Sequence, residues 1–375
     1  MRVLFVSGVS VGGAARSTYE LAAVLERRGH AVATLMKIDE DEATTERHKR
    51  ALNATVRAGR HPIGRAALPV LERYRRSIGR RRSEVDGHPF PAWRAAQPEN
   101  AFCDVVAEFR PDLVVVNSIE RPAWRMIRSE CARRTIPTVL YLREASGVRH
   151  LVDPPAPPDL LIANAEAHAI EARDVGFACT VVPSVVDTTR CIVTPTRERV
   201  VFVNPVPVYG VDLAFAIAQA CPDIGFDFVE SWPLSDDDRR TLTTRCSELG
   251  NVALIPFQQD VRDVYRPARV LLMLCTVPSR PRVVLEAQAS GIPVVAVDRP
   301  GHGEVVGPGG VLVAPDAALA SWVDAIRAMF DDTRHYEGLV GAATAHAVRH
   351  DALPDAVADA FEHAVAGLVT TRVDR

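Results

Sequence analysis

The chain alternates, twice over, between short apolar runs and amphipathic helical patterns. The first series opens with the run at 3–7 and closes with 180–183; after a linker around 188–198, a second series opens at 200–204 and closes at 310–314. Short Val-, Ile- and Leu-rich runs between helices are typical of parallel sheets covered on both faces. The sequence therefore predicts an α/β protein with two doubly wound, Rossmann-like domains that face a central cleft and bind ligands at the carboxyl ends of their strands.

The predicted domains divide the chain into three segments. Residues 1–190 form an N-terminal domain with an excursion at 44–98, where scattered Pro, Gly and Arg and a weak apolar stripe predict a partly helical segment. Residues 191–354 form a C-terminal domain. Residues 355–375 hold an amphipathic helix that we expect to pack back on the N-terminal domain.

The excursion contains a strongly basic stretch. Between residues 47 and 82, twelve Lys and Arg stand against a single acid, Glu72, which gives a local net charge of +11 in a chain whose net charge is −3. A solvated arm is one interpretation; the other is a surface for a phospholipid, a phosphorylated acceptor or another polyanion, with peripheral membrane contact. Interleaved aromatic residues are few, so nucleic-acid binding is disfavoured.

Cysteine spacing and hydropathy bear on the compartment. The seven cysteines form no CxxC and no paired spacing, which is typical of free thiols in a reducing environment and predicts neither a disulfide framework nor a metal site. The N-terminal apolar run is too short for a signal-peptide core, and no run approaches the roughly 20 apolar residues of a membrane span. We therefore predict a cytoplasmic protein.

Residues 276–307 have the pattern of an anion cradle. A proline-broken loop leads into a short helix that we expect to begin near Arg282 and to end before Gly291, with one acid, Glu286, inside it. Such a helix presents unpaired backbone N–H groups and the positive end of its dipole to an anion. The segment therefore predicts a phosphate-bearing ligand near the start of this helix.

Four segments together resemble the retaining glycosyltransferases of family 4, which have the two-domain GT-B fold. They are GGAARSTYELAAVLERRGHAV (12–32), VVPSVVD (181–187), FVNPVPVYGVDLA (202–214) and VLEAQASGIPVVAVDRPGHGEVVG (284–307). The resemblance implies an acceptor-side N-terminal domain and a C-terminal domain that binds a nucleotide-sugar donor. It also implies transfer with retention, no metal, and no cofactor beyond the nucleotide sugar as co-substrate. Bacterial natural-product biosynthesis is the context suggested by the Ala- and Arg-rich composition.

Several family positions are matched. Gly12 and Gly13 correspond to the loop after the first strand, where backbone amides approach the donor phosphate or the acceptor; a plain tight turn is the alternative. Arg16, one turn into the following helix, could reach an anion. Glu286 matches the acid that accepts hydrogen bonds from the ribose, with an acid that serves only the helix dipole as the alternative. Glu304 matches a further acid of the family.

Other family positions are replaced. Pro278 stands where the first acid of the Glu-x7-Glu motif holds donor-sugar hydroxyls. Asn204 and Tyr209 stand where an arginine and a lysine neutralise the leaving diphosphate, and Arg143 stands where a histidine often touches the donor sugar. These replacements predict a rebuilt diphosphate and sugar subsite.

The missing cations could be supplied by Arg143, Arg280 and Arg282, because arginine binds phosphate oxygens in a bidentate fork. We predict Arg143 and Arg282 as leaving-group stabilisers. The predicted donor-binding residues are Gly12, Gly13, Arg16, Asn204, Tyr209, Phe257, Arg280, Arg282, Val283, Glu286 and Glu304.

The leading hypothesis is transfer of a sugar from a nucleotide-activated donor to a small-molecule, anionic or lipid acceptor. One alternative is a degenerate glycosyltransferase that binds nucleotide or sugar without ordinary transfer. The other is a glycosyltransferase-like enzyme that forms an unusual bond.

Overall fold

Two compact units make up the structure, a computed structural model. It describes residues 1–38, 70, 82–84, 88–143, 148, 156–232 and 234–370. Unit 1 comprises Met1–Asn164, Ala169–Val182 and Ala358–Arg375, and unit 2 comprises Ala165–His168 and Pro183–Val357. Nearly all of the basic stretch 47–82 lies outside the described residues. None of the described helices is long and apolar enough to cross a membrane.

Unit 1 is built on an eight-stranded sheet. In chain order its strands are β1 (Arg2–Ser7), β2 (Ala31–Lys37), β3 (Arg82–Glu84), β4 (Ala92–Ala95), β5 (Leu113–Asn117), β6 (Thr138–Leu142), β7 (Leu160–Ala163) and β8 (Thr180–Val181). Their spatial order is β3-β4-β2-β1-β5-β6-β7-β8, and all neighbours are parallel except β3 and β4. Strands β5 and β6 are buried along their whole length, as expected for a sheet covered on both faces.

Unit 2 is built on a six-stranded parallel sheet. Its strands are β9 (Arg199–Val203), β10 (Gly225–Val229), β11 (Val252–Ile255), β12 (Ala268–Met273), β13 (Val294–Val297) and β14 (Gly310–Val313). Their spatial order is β11-β10-β9-β12-β13-β14. The apolar positions of these strands form two buried clusters, one on each face of the sheet.

Helices fill the intervals between the strands. They are α1 (Gly12–Arg27), α2 (Pro98–Phe109), α3 (Arg121–Arg133), α4 (Glu166–Asp174), α5 (Val211–Ala220), α6 (Asp236–Leu249), α7 (Val261–Tyr265), α8 (Arg282–Gln288), α9 (His302–Val306), α10 (Leu319–Asp331), α11 (Thr333–Ala347) and α12 (Pro354–Thr370). Each amphipathic helix turns its apolar face to a sheet, for example Leu21, Val24 and Leu25 in α1.

The C-terminal helix α12 contributes to unit 1 from Ala358 onward. Phe361 is fully buried, and its ring centroid lies 6.2 Å from that of Phe5 in β1. Arg28 donates to the Glu362 carboxylate at 3.0 Å, and a ring nitrogen of His30 lies 2.9 Å from the same carboxylate. Apolar packing and a small polar cluster therefore join this helix to the first strand and to the segment after α1.

The predicted fold class is confirmed, since both sheets are doubly wound and Rossmann-like. The four predicted runs at 3–7, 180–183, 200–204 and 310–314 begin and end within two residues of β1, β8, β9 and β14. The prediction of a partly helical excursion at 44–98 was incomplete, because it missed β3 and β4. Strand β4, with the sequence AWRA, lies between β3 and β2, and its pairing with both strands rather than its own pattern defines it.

Each sheet has one point where strand order reverses. In unit 1, β1 lies between β2 and β5, so the chain leaves β1 on one side and returns on the other. In unit 2, β9 lies in the same way between β10 and β12. Ligands of open α/β sheets bind at the carboxyl ends of the strands beside such a point. The residues that follow β1, β5, β9 and β12 are therefore the first place to look for a site.

Candidate functional site

Asn204 turns the chain at the carboxyl end of β9, beside the reversal point of unit 2. It is buried and has a φ of +61°, in the left-handed region. Its N–H donates to the Val229 carbonyl at 2.9 Å, and its carbonyl accepts from the Val206 N–H at 2.8 Å. The backbone at Asn204 thus joins the end of β9 to the end of β10.

The loop after Asn204 is fastened to the end of β12. Gly210 has a φ of +80°, and a Cβ there would lie 2.7 Å from the Leu274 Cβ. Both the N–H and the hydroxyl of Thr276 lie 3.2 Å from the Val208 carbonyl, to which they donate. The close approach requires glycine, since another residue would add both strain and a clash. The two segments that flank the reversal point therefore form one surface.

Aromatic side chains lie along the same edge of unit 2. Tyr209 is half-buried and meets Trp232 edge-on, with ring centroids 5.3 Å apart. Phe257, after β11, is 61% exposed, which is high for a phenylalanine. An exposed ring at the carboxyl edge of a sheet can stack on a base or a sugar. Trp232 was not predicted, because its position beside Tyr209 depends on the pairing of β9 with β10.

Helix α8 begins at Arg282, as predicted, and contains a buried ion pair. The Arg282 Nε donates to the Glu286 Oε1 at 2.7 Å, and these side chains are 7% and 2% exposed. The Tyr265 hydroxyl donates to the other carboxylate oxygen, Oε2, at 2.9 Å. The spacing of four residues places the two charges on one face of the helix. Sequence reasoning named Arg282 and Glu286 separately, and the structure brings them into contact.

This pairing bears on the roles predicted for α8. A ribose at Glu286 would share its carboxylate with Arg282 and Tyr265, and a diphosphate at Arg282 would share a guanidinium that already contacts a carboxylate. Arg280 is half-buried in the preceding loop, and the Val283 carbonyl lies 3.4 Å from the Tyr265 hydroxyl. The donor-binding roles of these residues stay predictions.

A second junction joins the loop before α8 to the loop before α9. The Ser279 N–H donates to the Pro300 carbonyl at 3.3 Å, and the Ser279 Oγ lies 3.3 Å from the His302 Nε2. His302 is fully buried, and its Nδ1 lies 2.9 Å from the Val297 carbonyl. Between them, Gly301 has a φ of +87°, and a Cβ there would lie 2.4 Å from the Ser279 carbonyl oxygen. Neither Ser279 nor His302 was predicted as a site residue.

Burial lowers the pKa of His302, with a smaller contribution from the positive charge of Arg299. Burial likewise lowers the pKa of His346, helped by Arg349. A histidine with a lowered folded-state pKa binds its proton more readily in the unfolded chain, so folding stability rises with pH in that range. The contribution of such a histidine to the free energy of unfolding is fully present above the ordinary histidine pKa. It is lost as the pH falls through that value toward the lowered pKa of the folded state.

We therefore expect the free energy of unfolding to fall between pH 7.5 and pH 5. Urea denaturation at a series of pH values would measure it. In a His302→Asn variant, the difference between the two ends of this range should shrink, because Asn does not titrate. An unchanged pH profile in that variant would contradict the assignment to His302.

Glu304 contacts backbone amides rather than side chains. Its Oε2 accepts from the Glu166 N–H at 3.2 Å and its Oε1 from the Ala167 N–H at 3.4 Å, at the start of α4 and within unit 2. These N–H groups are among those that a helix leaves unpaired at its first turn. A carboxylate placed there also interacts favourably with the helix dipole. The observed contacts of Glu304 are therefore those of a helix-capping acid, and its predicted donor-binding role stays a prediction.

A Glu304→Ala variant is expected to lower the stability of unit 2 by about 1 kcal/mol, the usual cost of losing a helix cap. Glu304→Gln keeps an oxygen acceptor and should cost less. Chemical denaturation of both variants would measure the difference. If Glu304→Ala kept full stability but lost binding of a nucleotide sugar, Glu304 would act on the ligand instead.

Unit 1 has its own reversal point, between β1 and β5, with a buried polar chain beneath it. The Ser7 hydroxyl donates to the Asn117 Oδ1 at 3.0 Å, and the Asn117 amide donates to the Thr18 hydroxyl at 3.2 Å. All three side chains are fully or almost fully buried. This series of side-chain hydrogen bonds connects the ends of β1 and β5 to the second turn of α1.

Helix α1 begins at Gly12, which has a φ of +82°. Its N-cap residue, Val11, makes no side-chain capping hydrogen bond, and its first turn has no acidic residue. Gly13 follows at the second position, and Arg16 lies exposed one turn later. An open helix start of this kind can accept an anion, but a tight turn needs the same glycines. The predicted ligand roles of Gly12, Gly13 and Arg16 stay predictions.

Two arginines follow strands of unit 1, one after β6 and one after β5. Arg143 follows β6 directly and is buried, with its guanidinium carbon 4.2 Å from the centre of the Tyr141 ring. Arg121 begins α3, just after β5. Its Nε and Nη2 are buried and have no hydrogen-bond partner among the described residues. Buried guanidinium N–H groups generally require an acceptor. Arg121 was not predicted as a site residue.

Across the described ranges, no group of three or more His, Cys, Asp or Glu side chains is placed to hold a metal ion. The metal independence implied by the family resemblance stays a prediction.

Comparison with known proteins agrees with this geometry. Residues 233–332 match the family model of glycosyl transferases group 1. The matched region runs from just before α6 through α10, and includes β11, β12, β13 and the loops around α8. A search of curated protein sequences finds no match.

Solved structures share the fold along nearly the whole chain. The Anabaena protein Alr3699/HepE, solved in complex with UDP-glucose, is 17% identical with a TM-score of 0.73, covering 98% of this chain and 100% of that one. Sucrose-phosphate synthase from Thermosynechococcus elongatus is 14% identical with a TM-score of 0.74, covering 99% and 100%. The catalytic domain of starch synthase IV from Arabidopsis thaliana, bound to ADP and acarbose, is 10% identical with a TM-score of 0.65, covering 99% of both chains. The fold is that of the GT-B glycosyltransferases.

Proposed function

We propose that the protein is a glycosyltransferase that takes a sugar from a nucleotide-activated donor bound at the carboxyl edge of the unit 2 sheet. The observation that carries this proposal is the joined surface at the reversal point, where the loop from Asn204 to Gly210 is fastened to Thr276. The match of residues 233–332 to a glycosyltransferase model supports it. Structures of the same fold in complex with UDP or UDP-glucose support a nucleotide-sugar donor.

The departing diphosphate must be stabilised for transfer to occur. Preorganised charges that face the developing anion are commonly the largest single contribution to catalysis. Because Asn204 and Tyr209 carry no charge, we assign this task to Arg143, Arg280 and Arg282. The Glu286 carboxylate, 2.7 Å from the Arg282 Nε, holds that guanidinium at the first residue of α8. In this proposal the pair positions a cation rather than simply filling the core.

The finer points of the reaction follow from the family resemblance. We propose transfer with retention of configuration and without a metal ion. For the acceptor, we propose a small molecule or lipid that carries an anionic group. The proposal of an anionic group rests on Arg121, because two of its buried guanidinium nitrogens have no hydrogen-bond partner among the described residues.

A second candidate function is binding without transfer. The absence of charge at Asn204 and Tyr209 and the pairing of Arg282 with Glu286 favour it. Incubation with pooled nucleotide sugars, followed by mass spectrometry, separates the two. Release of a nucleoside diphosphate by the wild type, strongly reduced in Arg280→Ala and in Arg143→Ala, is the expected result. Donor binding with no release of diphosphate under any condition would instead support the binding function.

A further inference from the structure

We propose that Ser279 and His302 form a neutral pair that recognises a hydroxyl group on the donor sugar. Ser279 would contact the sugar, and His302 would position Ser279. This inference rests on the proposed function, because it requires a sugar nucleotide at the carboxyl edge of unit 2. Ser279 lies between β12 and α8, and His302 begins α9 after β13, so both follow strands that end at that edge.

The hydrogen bonds of His302 determine the direction of the proton on Ser279. A backbone carbonyl can only accept, so the Nδ1 that lies 2.9 Å from the Val297 oxygen carries a proton. In a neutral ring, Nε2 is then an acceptor, and the Ser279 hydroxyl donates to it at 3.3 Å. The lone pairs of the Ser279 Oγ remain able to accept. A serine held in this way prefers a ligand that donates, and each free hydroxyl of a sugar is such a group.

The pair is held on a rigid support. The Ser279 backbone donates to Pro300, and Gly301 approaches the Ser279 carbonyl more closely than any residue with a Cβ could. His302 has no exposed surface, whereas Ser279 is half-buried. The imidazole is thus enclosed, while Ser279 keeps part of its surface exposed. Specific recognition requires this combination, because the contacting group must be held in position before the ligand arrives.

The groups that face the pair leave it uncharged near neutral pH. Burial is the main cause that lowers the pKa of His302, and the positive charge of Arg299 adds to it, whereas the Val297 and Val277 carbonyls and Asp298 favour the protonated ring. Two residues after β12, the Cys275 thiol lies 3.6 Å from the Val277 carbonyl and also contacts the Ser279 side chain, and burial raises the pKa of this thiol. A protonated His302 would donate from Nε2 and reverse the hydrogen bond to Ser279. Sugar recognition should therefore weaken in acid.

Calorimetry with matched ligands tests the pair. The probes are UDP, ADP, GDP and dTDP, each with its glucose conjugate, against the wild type, Ser279→Ala, Ser279→Thr and His302→Asn. The exposed Ser247→Ala on α6 serves as the control. Asn can still donate to the Val297 carbonyl but has no counterpart of Nε2. We expect Ser279→Ala and His302→Asn to lower the affinity for the glucose conjugate by up to about tenfold, which corresponds to the loss of one hydrogen bond. The affinity for the diphosphate should stay unchanged. Ser279→Thr should keep most of the affinity.

The pH profile gives a second measure that a purely structural role would not produce. In the wild type, the affinity for the glucose conjugate relative to that for the diphosphate should fall as the pH drops from the ordinary histidine pKa toward the lowered pKa of His302, and in His302→Asn this relative change should be absent. The proposed role of the pair would be overturned if Ser279→Ala lowered the affinity for both ligands equally or for neither. It would also be overturned if the wild type bound the glucose conjugate no more tightly than the diphosphate. If no diphosphate bound the wild type even at millimolar concentration, the proposed function itself would fail.

Discussion

Replacing Arg282 with alanine is expected to lower the free energy of unfolding by about 3–5 kcal/mol, the range found when one partner of a buried ion pair is removed. The reason is the position of Glu286, which is 2% exposed and would remain in the interior, where the Tyr265 hydroxyl donates to its carboxylate but the cation is gone. A buried carboxylate without its cation is costly because the charged form has lost its hydration. Chemical denaturation followed by circular dichroism would measure the loss.

Two controls separate the buried pair from a general effect of arginine removal. Arg240→Ala removes a cation from an exposed helical ion pair of i,i+3 spacing, whose side chains are 73% and 87% exposed, and should change stability little. The double variant Arg282→Met with Glu286→Leu removes both charges and should recover most of the stability. If Arg282→Ala kept full stability and lost only turnover, Arg282 would act on the leaving diphosphate without supporting the fold.

Replacing Gly301 with alanine is expected to cost about 2–6 kcal/mol, the combined range for left-handed strain and for overpacking. The φ of +87° is one that residues with a side chain rarely adopt, and the added Cβ would lie 2.4 Å from the Ser279 carbonyl oxygen. That atom belongs to the backbone, so it cannot move aside as a flexible side chain could. Thermal and chemical unfolding of the variant would measure the cost.

Gly338→Ala in α11 is the matched control for Gly301. A Cβ at Gly338 meets nothing within 4 Å, and its φ lies outside the left-handed region. Alanine there should raise stability by up to about 1 kcal/mol, because glycine is unfavourable inside a helix. A Gly301→Ala variant as stable as the wild type would contradict the close approach of the two loops on which the Ser279 and His302 pair depends.

The fold was predictable because its pattern is local. A buried parallel strand is a short apolar run that can be recognised without its neighbours, and β1, β9 and β14 were predicted in this way. The start of α8 at Arg282 was predicted from the proline loop before it, and Gly291, with a φ of +67°, follows its end. Strand β4 was missed, since its four residues form a strand only through pairing with β2 and β3.

The side-chain partners of the candidate site were not predictable by the same means. Tyr265 reaches Glu286 across 21 positions of sequence, and His302 reaches Ser279 across 23. Neither separation has a periodic signal, because each contact depends on the order of strands in the sheet and on one glycine conformation. The likeness to family motifs suggested individual ligand contacts in these loops, where the structure shows contacts between the residues themselves.

The central claim is that the surface around Asn204, Tyr209 and Thr276 binds the nucleotide of a sugar donor. Hydrogen–deuterium exchange with and without the tightest-binding nucleoside diphosphate tests it most directly. We expect slower exchange in 204–210, in 256–260 and from 276 through α8, all at the carboxyl edge of unit 2. Binding without protection of these segments, or protection confined to unit 1, would contradict the account.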